Sequence, residues 1–162
     1  MPSTLPRKTP SPPRSMELNA LPGHCARRLQ QIAVAIFMQE AGESGVTPVQ
    51  FAVLQALAAQ AGMDQRTLAG VVSFDTSTIG GVIDRLEARG LLTRSHSDGD
   101  RRVRLLHLTP EGEALLAELT PSMLRTQKRL LEPLPAAERK EFMRMLQAVI
   151  AHHDEVGDAA GA

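Results

Sequence analysis

The feature that most constrains this chain is a change of period. Over most of the sequence, apolar residues recur every three or four positions, as on the face of a helix. Between residues 91 and 109 they do not. Leu91, Leu92 and Thr93 lead into a polar turn, Ser95 to Asp100, after which Val103, Leu105, His107 and Thr109 alternate with Arg102, Arg104, Leu106 and Leu108. A polar turn followed by alternation is the pattern of a β-hairpin. The fold expected is mainly α with one small β-hairpin.

The helices around it are delimited by their caps. A first helix runs from Pro22 to about Glu40, with Cys25, Leu29, Ile32, Ala33, Ile36 and Phe37 on one apolar face. Gly42 and Gly45 mark a loop. Thr47 caps the second helix, with Pro48 at its first position and Phe51, Val53, Leu54 and Leu57 as its apolar residues. Asp64 opens a short third helix with Leu68, Val71 and Val72 apolar. Ser73-Phe74 is the turn, and Asp75 or Thr76 caps a fourth helix whose buried side is Ile79, Val82, Ile83 and Leu86. Gly90 ends it in the position of a left-handed C-cap. Thr109-Pro110-Glu111 starts a long fifth helix to about Leu131. Pro133 and Pro135 break it, and a last helix runs to about His153.

Two short helices joined by a tight turn form a helix-turn-helix, and a hairpin directly after the second makes it winged. The layout expected is a disordered, basic, proline-rich arm over residues 1–17 (Arg7, Lys8, Arg14), an N-terminal helix over 18–46, the winged helix-turn-helix over 47–109, C-terminal helices over 110–156 and a disordered tail over 157–162. On the fourth helix, Thr76, Ser77, Thr78 and Gly81 are small enough to sit close to a major-groove floor, and their hydroxyls suit base edges or phosphates. Arg85 lies two turns on, placed to reach a phosphate. This helix is slightly negative, because Asp75, Asp84 and Glu87 outnumber Arg85 and Arg89. The balancing charge is on the wing: Arg94, Arg101, Arg102 and Arg104, with Asp100 placed to hold the Arg102 guanidinium. Arginine at a hairpin tip suits a narrow minor groove.

Composition excludes other classes. The formal net charge is zero, which argues against a polycation that coats nucleic acid but not against a specific binder. With no Trp or Tyr and only four Phe, the stacking platforms of single-strand and RNA binders are nearly absent. The one cysteine, Cys25, allows no internal disulfide, and no apolar run is long enough to span a bilayer. A cytoplasmic protein is expected. There is no phosphate loop, dinucleotide fingerprint or nucleophile elbow, so neither an enzyme nor a cofactor is expected.

The segment DGDRRVRLLHLTPEG, residues 98–112, resembles the wing signature of the MarR family: Asp100, Arg102, then alternating apolar residues, Leu108, Thr109 and Gly112. STIGGVIDRLEARGLLTR, residues 77–94, is similar to that family's recognition helix and its exit into the wing. The resemblance spans roughly residues 20–153. It implies a homodimer built by the first, fifth and sixth helices, binding double-stranded DNA at a pseudo-palindromic operator. Leu115, Leu116, Leu119, Met123, Leu124, Phe142, Met145, Leu146, Val149 and Ile150 agree, being more apolar surface than one winged domain can cover.

Regulators of this family often answer to small aromatic acids. LPGHCARRLQQIAVAIF, residues 21–37, places His24, Arg28 and Gln31 on one stripe, with Arg27 an equal alternative to Arg28. Such a stripe suits a carboxylate. The segment resembles regulators of aromatic-compound degradation, including those answering to nicotinate derivatives or hydroxycinnamoyl thioesters. That implies a repressor relieved by an aromatic or heteroaromatic acid, with Phe51 and Asp75 as lining residues by family analogy alone. Two rival readings are a redox sensor using Cys25 and a metal-responsive regulator using His152 and His153. Cys25 falls on the apolar stripe, where a buried, inert thiol is expected, and the tyrosines that activate the thiol in peroxide-sensing relatives are absent. Adjacent histidines diverge by about 100° on a helix and chelate poorly, so no metal site is expected.

Overall fold

A computed structural model describes residues 17–160 except residues 98 and 101; for residues 156–160 it describes the helical backbone alone. The expected basic arm with Arg7, Lys8 and Arg14, the DNA-contact candidate Arg101 and the last two residues lie outside the described residues. The chain forms two compact units, divided between Gln31 and Ile32.

The described part of the first unit is a 3-10 turn at Leu18–Ala20 and the opening of a helix, α1 (Pro22–Ala41). Its cysteine corrects an expectation. Cys25 is exposed, and its Sγ donates to the Asn19 carbonyl at 3.3 Å rather than packing in an apolar face. The stripe drawn through Cys25, Leu29 and Ile32 is real as a helical spacing. Burial on it begins only at Phe37, one turn or more further on.

The second unit holds the rest of α1, then α2 (Pro48–Ala59), β1 (Met63–Asp64), α3 (Gln65–Val71), α4 (Thr76–Ala88), β2 (Leu92–His96), β3 (Arg104–Leu108), α5 (Pro110–Leu130) and α6 (Ala136–Ala160). The hairpin is where the alternation places it. Its register pairs Leu92 with Leu108, Arg94 with Leu106 and His96 with Arg104. A third strand was not legible: β1 pairs Met63 with Leu106, giving the order β1-β3-β2. Two residues are too few to show alternation, and Met63 is a strand only because β3 lies beside it. The last helix reaches Ala160, past the end near His153 that the sequence suggested, because Gly157 is tolerated within a helix of otherwise adequate formers.

The core lies under the hairpin and between the helices. Leu54, Leu57, Leu68, Ile79, Ile83, Leu86, Leu92 and Leu106 are fully buried. Leu116 and Leu119 of α5 belong to it as well, with Leu115 and Met123 packed against it. Leu116 and Leu119 are therefore filling for the winged domain, not surplus for a dimer, while Leu115 and Met123 stay half-buried. Val71, expected on an apolar face, is exposed; the third helix is short and only Leu68 and Ala69 turn inward.

The caps fix the helix-turn-helix. Thr47 and Gln50 form a capping box at α2. The Asp64 carboxylate accepts from Thr67 N at 2.7 Å, and the Asp75 carboxylate from Thr78 N at 2.8 Å. At the far end of α4, Gly90 has φ +71, a conformation that only glycine adopts at no cost. Thr109 then ties three elements together. Its N donates to Leu91 O, its hydroxyl donates to Gly90 O at 2.7 Å, and it accepts from Gly112 N at 3.0 Å. Gly112 packs directly on this knot, where an added Cβ would lie 2.0 Å from Leu91 O.

Gly112→Ala should therefore lower stability by about 1–3 kcal/mol, because that carbonyl is held by Thr109 and cannot retreat. Urea unfolding would show a lower midpoint at unchanged slope; an unchanged midpoint would mean the approach is looser than it is drawn. The two aspartate caps make a second prediction. Hydrogen bonds hold both carboxyls below the usual range, Thr67 backbone first for Asp64 and the Ser77 hydroxyl first for Asp75. Their stabilisation is present above the unfolded value of about 3.9 and is lost as pH falls through it towards the folded values. Asparagine keeps the cap oxygen without the charge. The double variant Asp64→Asn, Asp75→Asn should lose less melting temperature than the wild type between about pH 5 and about pH 3. Equal losses would place the acid sensitivity elsewhere.

Candidate nucleic-acid interface

The exposed face of the unit is built by α4 and the wing. The buried side of α4 is Ile79, Val82, Ile83 and Leu86, as the period required. That leaves Thr76, Ser77, Thr78, Asp84 and Arg85 outward. The Asp75 carboxylate also accepts from Ser77 Oγ at 2.6 Å and Thr78 Oγ1 at 2.5 Å. Both hydroxyls are thus donors to the cap, which leaves them outward as acceptors only. Gly81 is half-buried, and a Cβ there would sit 3.6 Å from an Arg85 guanidinium nitrogen.

Two residues that the sequence reading did not single out set the pose of this helix. Gln65 donates through Nε2 to Thr76 O at 2.9 Å, and a Cβ on Gly80 would come within 2.9 Å of that same nitrogen. Gly80 makes room for the bond that joins the start of α3 to the start of α4. Adjacent Gly80 and Gly81 gave the only hint of it. Arg89, at the other end, donates to Gly45 O at 3.2 Å and Ser44 O at 3.1 Å.

On the wing, the Asp100 carboxylate accepts from the backbone N of Arg102 at 2.9 Å. This corrects the expectation that it grips the guanidinium. Two residues apart in a turn, the side chain reaches the backbone N–H first and closes an Asx turn. Arg102 and Arg104 are exposed and, like Arg85, form no salt bridge with another described residue. Arg94 differs. Its guanidinium bonds Asp84 at 2.5 Å and Glu87 beside it, both on α4. Burial opposes the Arg94 charge, but the Asp84 hydrogen bond and the fields of Glu87 and Asp84 outweigh it and raise the pKa.

The ligand candidates divide by unit. In the first, His24 and Arg27 interact, Nδ1 to Nη2 at 3.3 Å, while Arg28 and Gln31 are exposed on the same helix. In the second, Phe51 is buried, its ring 6.0 Å from that of Phe37, and it lines an apolar cleft of about 500 Å³. Pro48, Ala52, Val72, Ser73 and Met123 are further walls. Asp75 is committed to its cap and is not among the lining residues. The turn contributes Val71, Val72 and Ser73 instead, and Ser73 has φ +56, outside the usual region for a residue with a side chain.

The long helices carry the remaining apolar surface. Ile32, Met38, Leu124, Met145, Val149 and Ile150 are all exposed, and among the described residues of α6 none is fully buried, Phe142 and Leu146 being half-buried. Glu40 accepts from Arg125 at 2.6 Å and Arg129 at 2.7 Å, which hold its carboxyl below the usual range, Arg125 first. The His152 and His153 rings meet edge to face at 5.3 Å. Among the described residues, no helix is long and apolar enough to cross a membrane.

Known proteins show the same plan. Residues 46–103 match the model of the MarR family. The chain is 31% identical over 154 residues to the HTH-type transcriptional repressor NicR of Pseudomonas putida, covering 95% of this chain and 98% of that one. BpsR of Bordetella bronchiseptica, solved in a study of how 6-hydroxynicotinic acid regulates its DNA binding, superposes with TM-score 0.78 at 36% identity, covering 83% and 96% of the two chains. The repressor CouR, solved on a 23-mer DNA duplex, gives TM-score 0.77 at 32% identity over 86% and 99%. The winged helix-turn-helix, its exposed recognition helix and the full-length match to NicR place this chain in the MarR family of DNA-binding transcription regulators.

Proposed function

We propose that the chain is a homodimeric repressor that binds a pseudo-palindromic operator and leaves it when a small aromatic or heteroaromatic acid occupies the cleft. The observation that carries this reading is the wall of that cleft. Val71, Val72 and Ser73 line it, and two residues later the recognition helix begins at its Asp75 cap. An occupant therefore bears on the turn that aims α4. It alters DNA affinity only by binding one arrangement of that turn better than another.

The cleft is apolar, which suits a ring. Separately, the polar stripe of the first unit, His24, Arg28 or Arg27, and Gln31, is assigned from the sequence to bind a carboxylate. BpsR, whose DNA binding answers to 6-hydroxynicotinic acid, makes a hydroxylated nicotinate the first acid to test, and a hydroxycinnamoyl thioester the second. Dimerisation rests on α6. A helix with no fully buried residue among those described is not stabilised by propensity alone in water, and its Met145, Val149 and Ile150 suit the same surface of a second copy. DNA contact is assigned to Thr76, Ser77, Thr78 and Gly81 in the major groove, and to Arg85, Arg102 and Arg104 on phosphates or in the minor groove, with Arg101 added from the sequence. Asp100 shapes the wing tip.

The decisive experiment titrates the protein onto the promoter beside its own gene across a salt series, with 6-hydroxynicotinate, nicotinate and a hydroxycinnamoyl thioester added in turn. Release by one acid is expected. Binding unmoved by all of them overturns the ligand, and binding no tighter than to random duplex overturns the operator. Arg85→Ala and Arg102→Ala should each reduce the magnitude of the slope of log K against log salt by about 0.9. Val72→Trp fills the cleft and should abolish release while DNA binding persists; His24→Ala and Arg28→Ala should do the same, and normal release in both would remove that stripe as a carboxylate holder. The exposure of Cys25 favours one rival, a thiol switch. Peroxide-sensitive binding that Cys25→Ser abolishes would establish it in place of the acid.

A further inference from the structure

Arg94 stands where an apolar residue is expected. On β2 it shares a face with Leu92, which is 1% exposed, and its cross-strand partner Leu106 is 1% exposed too. Its side chain is only 22% exposed. From that inner face it reaches over to α4, where Asp84 and Glu87, three apart, lie on one stripe of the helix. One guanidinium nitrogen takes Asp84 and the other takes Glu87. Both terminal nitrogens of the fork are therefore occupied by carboxylates of the recognition helix, whereas Arg85, Arg102 and Arg104 form no salt bridge with a described residue.

We infer that Arg94 is a positioning residue, which holds the wing at a fixed distance and angle from the recognition helix and makes no contact with DNA itself. This rests on the reading that α4 and the wing tip engage one duplex together. An insertion into the major groove and arginines aimed elsewhere on the same duplex fit only if the two parts keep their separation. An element already fixed in its bound pose loses less freedom on binding. The same contacts explain why a recognition helix carries acids at all. Arg94 offsets one of the two negative charges of Asp84 and Glu87 and draws both carboxylates towards the wing.

The inference makes predictions opposite in sign to those for a phosphate contact. The proteins compared are the wild type, Arg94→Gln, and the double variant Asp84→Asn, Glu87→Gln, all on the same promoter duplex across a salt series, with melting temperatures taken alongside. A clamp predicts weaker binding by both variants, on the order of ten-fold, as expected for coupled neighbours, with the wild-type salt slope kept by Arg94→Gln. A phosphate contact predicts a salt slope smaller in magnitude by about 0.9 for Arg94→Gln and tighter binding by the double variant, which removes two negative charges. Either of those results overturns the inference. So does wild-type affinity in both folded variants, because Arg94 would then only brace the fold. If Arg94→Gln fails to fold, the double variant decides by its sign alone: weaker for a clamp, equal or tighter against it. Failure of the wild type to prefer the promoter duplex over random DNA would count against the operator, separately from this.

Discussion

Thr109 sits where the recognition helix has ended, the wing has been made and the long fifth helix begins. Its hydroxyl donates to Gly90 O and accepts from Gly112 N, while its own N–H donates to Leu91 O. With Gly112 packed on Leu91 O, the two ends of the wing and the start of α5 become a single joint. Everything outward of the joint depends on it. The wing has five residues in each strand, and its third strand adds two more. So small a sheet has no stability of its own. It is fixed at its base by Thr109 and on its flank by Arg94.

The zero net charge of the chain conceals a division of labour. Acids on or beside the recognition helix have partners in the protein, Asp75 in the hydroxyls and N–H of its own cap, Asp84 and Glu87 in Arg94. Arg89 is held by loop carbonyls. Arg85 on the helix and Arg102 and Arg104 on the wing are exposed and form no salt bridge with another described residue. Net charge is a sum over the chain, whereas a duplex meets only the charges that the fold leaves unpaired towards it.

The cleft and the helix-turn-helix share residues. Phe51 and Met123 come from helices that also build the core, so that side is stiff. Val71, Val72 and Ser73 come from the turn, where Val71 is exposed and Ser73 holds a left-handed conformation. Of the cleft's walls, the turn is the one attached to α4.

Much of this was written in local pattern. Thr47-Pro48, Asp64, Asp75, Gly90 and Thr109-Pro110 delimit elements because capping is chemistry between residues at most a few positions apart. The alternation at 103–109 marks the wing for the same reason, and the segments 77–94 and 98–112 carry the family resemblance. Contacts between distant residues were not legible. The sequence paired Asp100 with the Arg102 guanidinium, and left Asp84 and Glu87 as an unexplained excess of charge on the recognition helix. It placed Cys25 in a buried face, counted Leu116 and Leu119 as dimer surface, and gave no sign of the strand at Met63. Each of these is decided by which surfaces meet after the helices pack, and periodicity reports only which residues share a face. The sequence by itself thus determined the order of elements, their caps and the family. The tertiary structure alone decided which arginines face outward and which one turns in to bind α4, because a guanidinium seven and ten residues from its carboxylates finds them only when strand and helix are laid side by side.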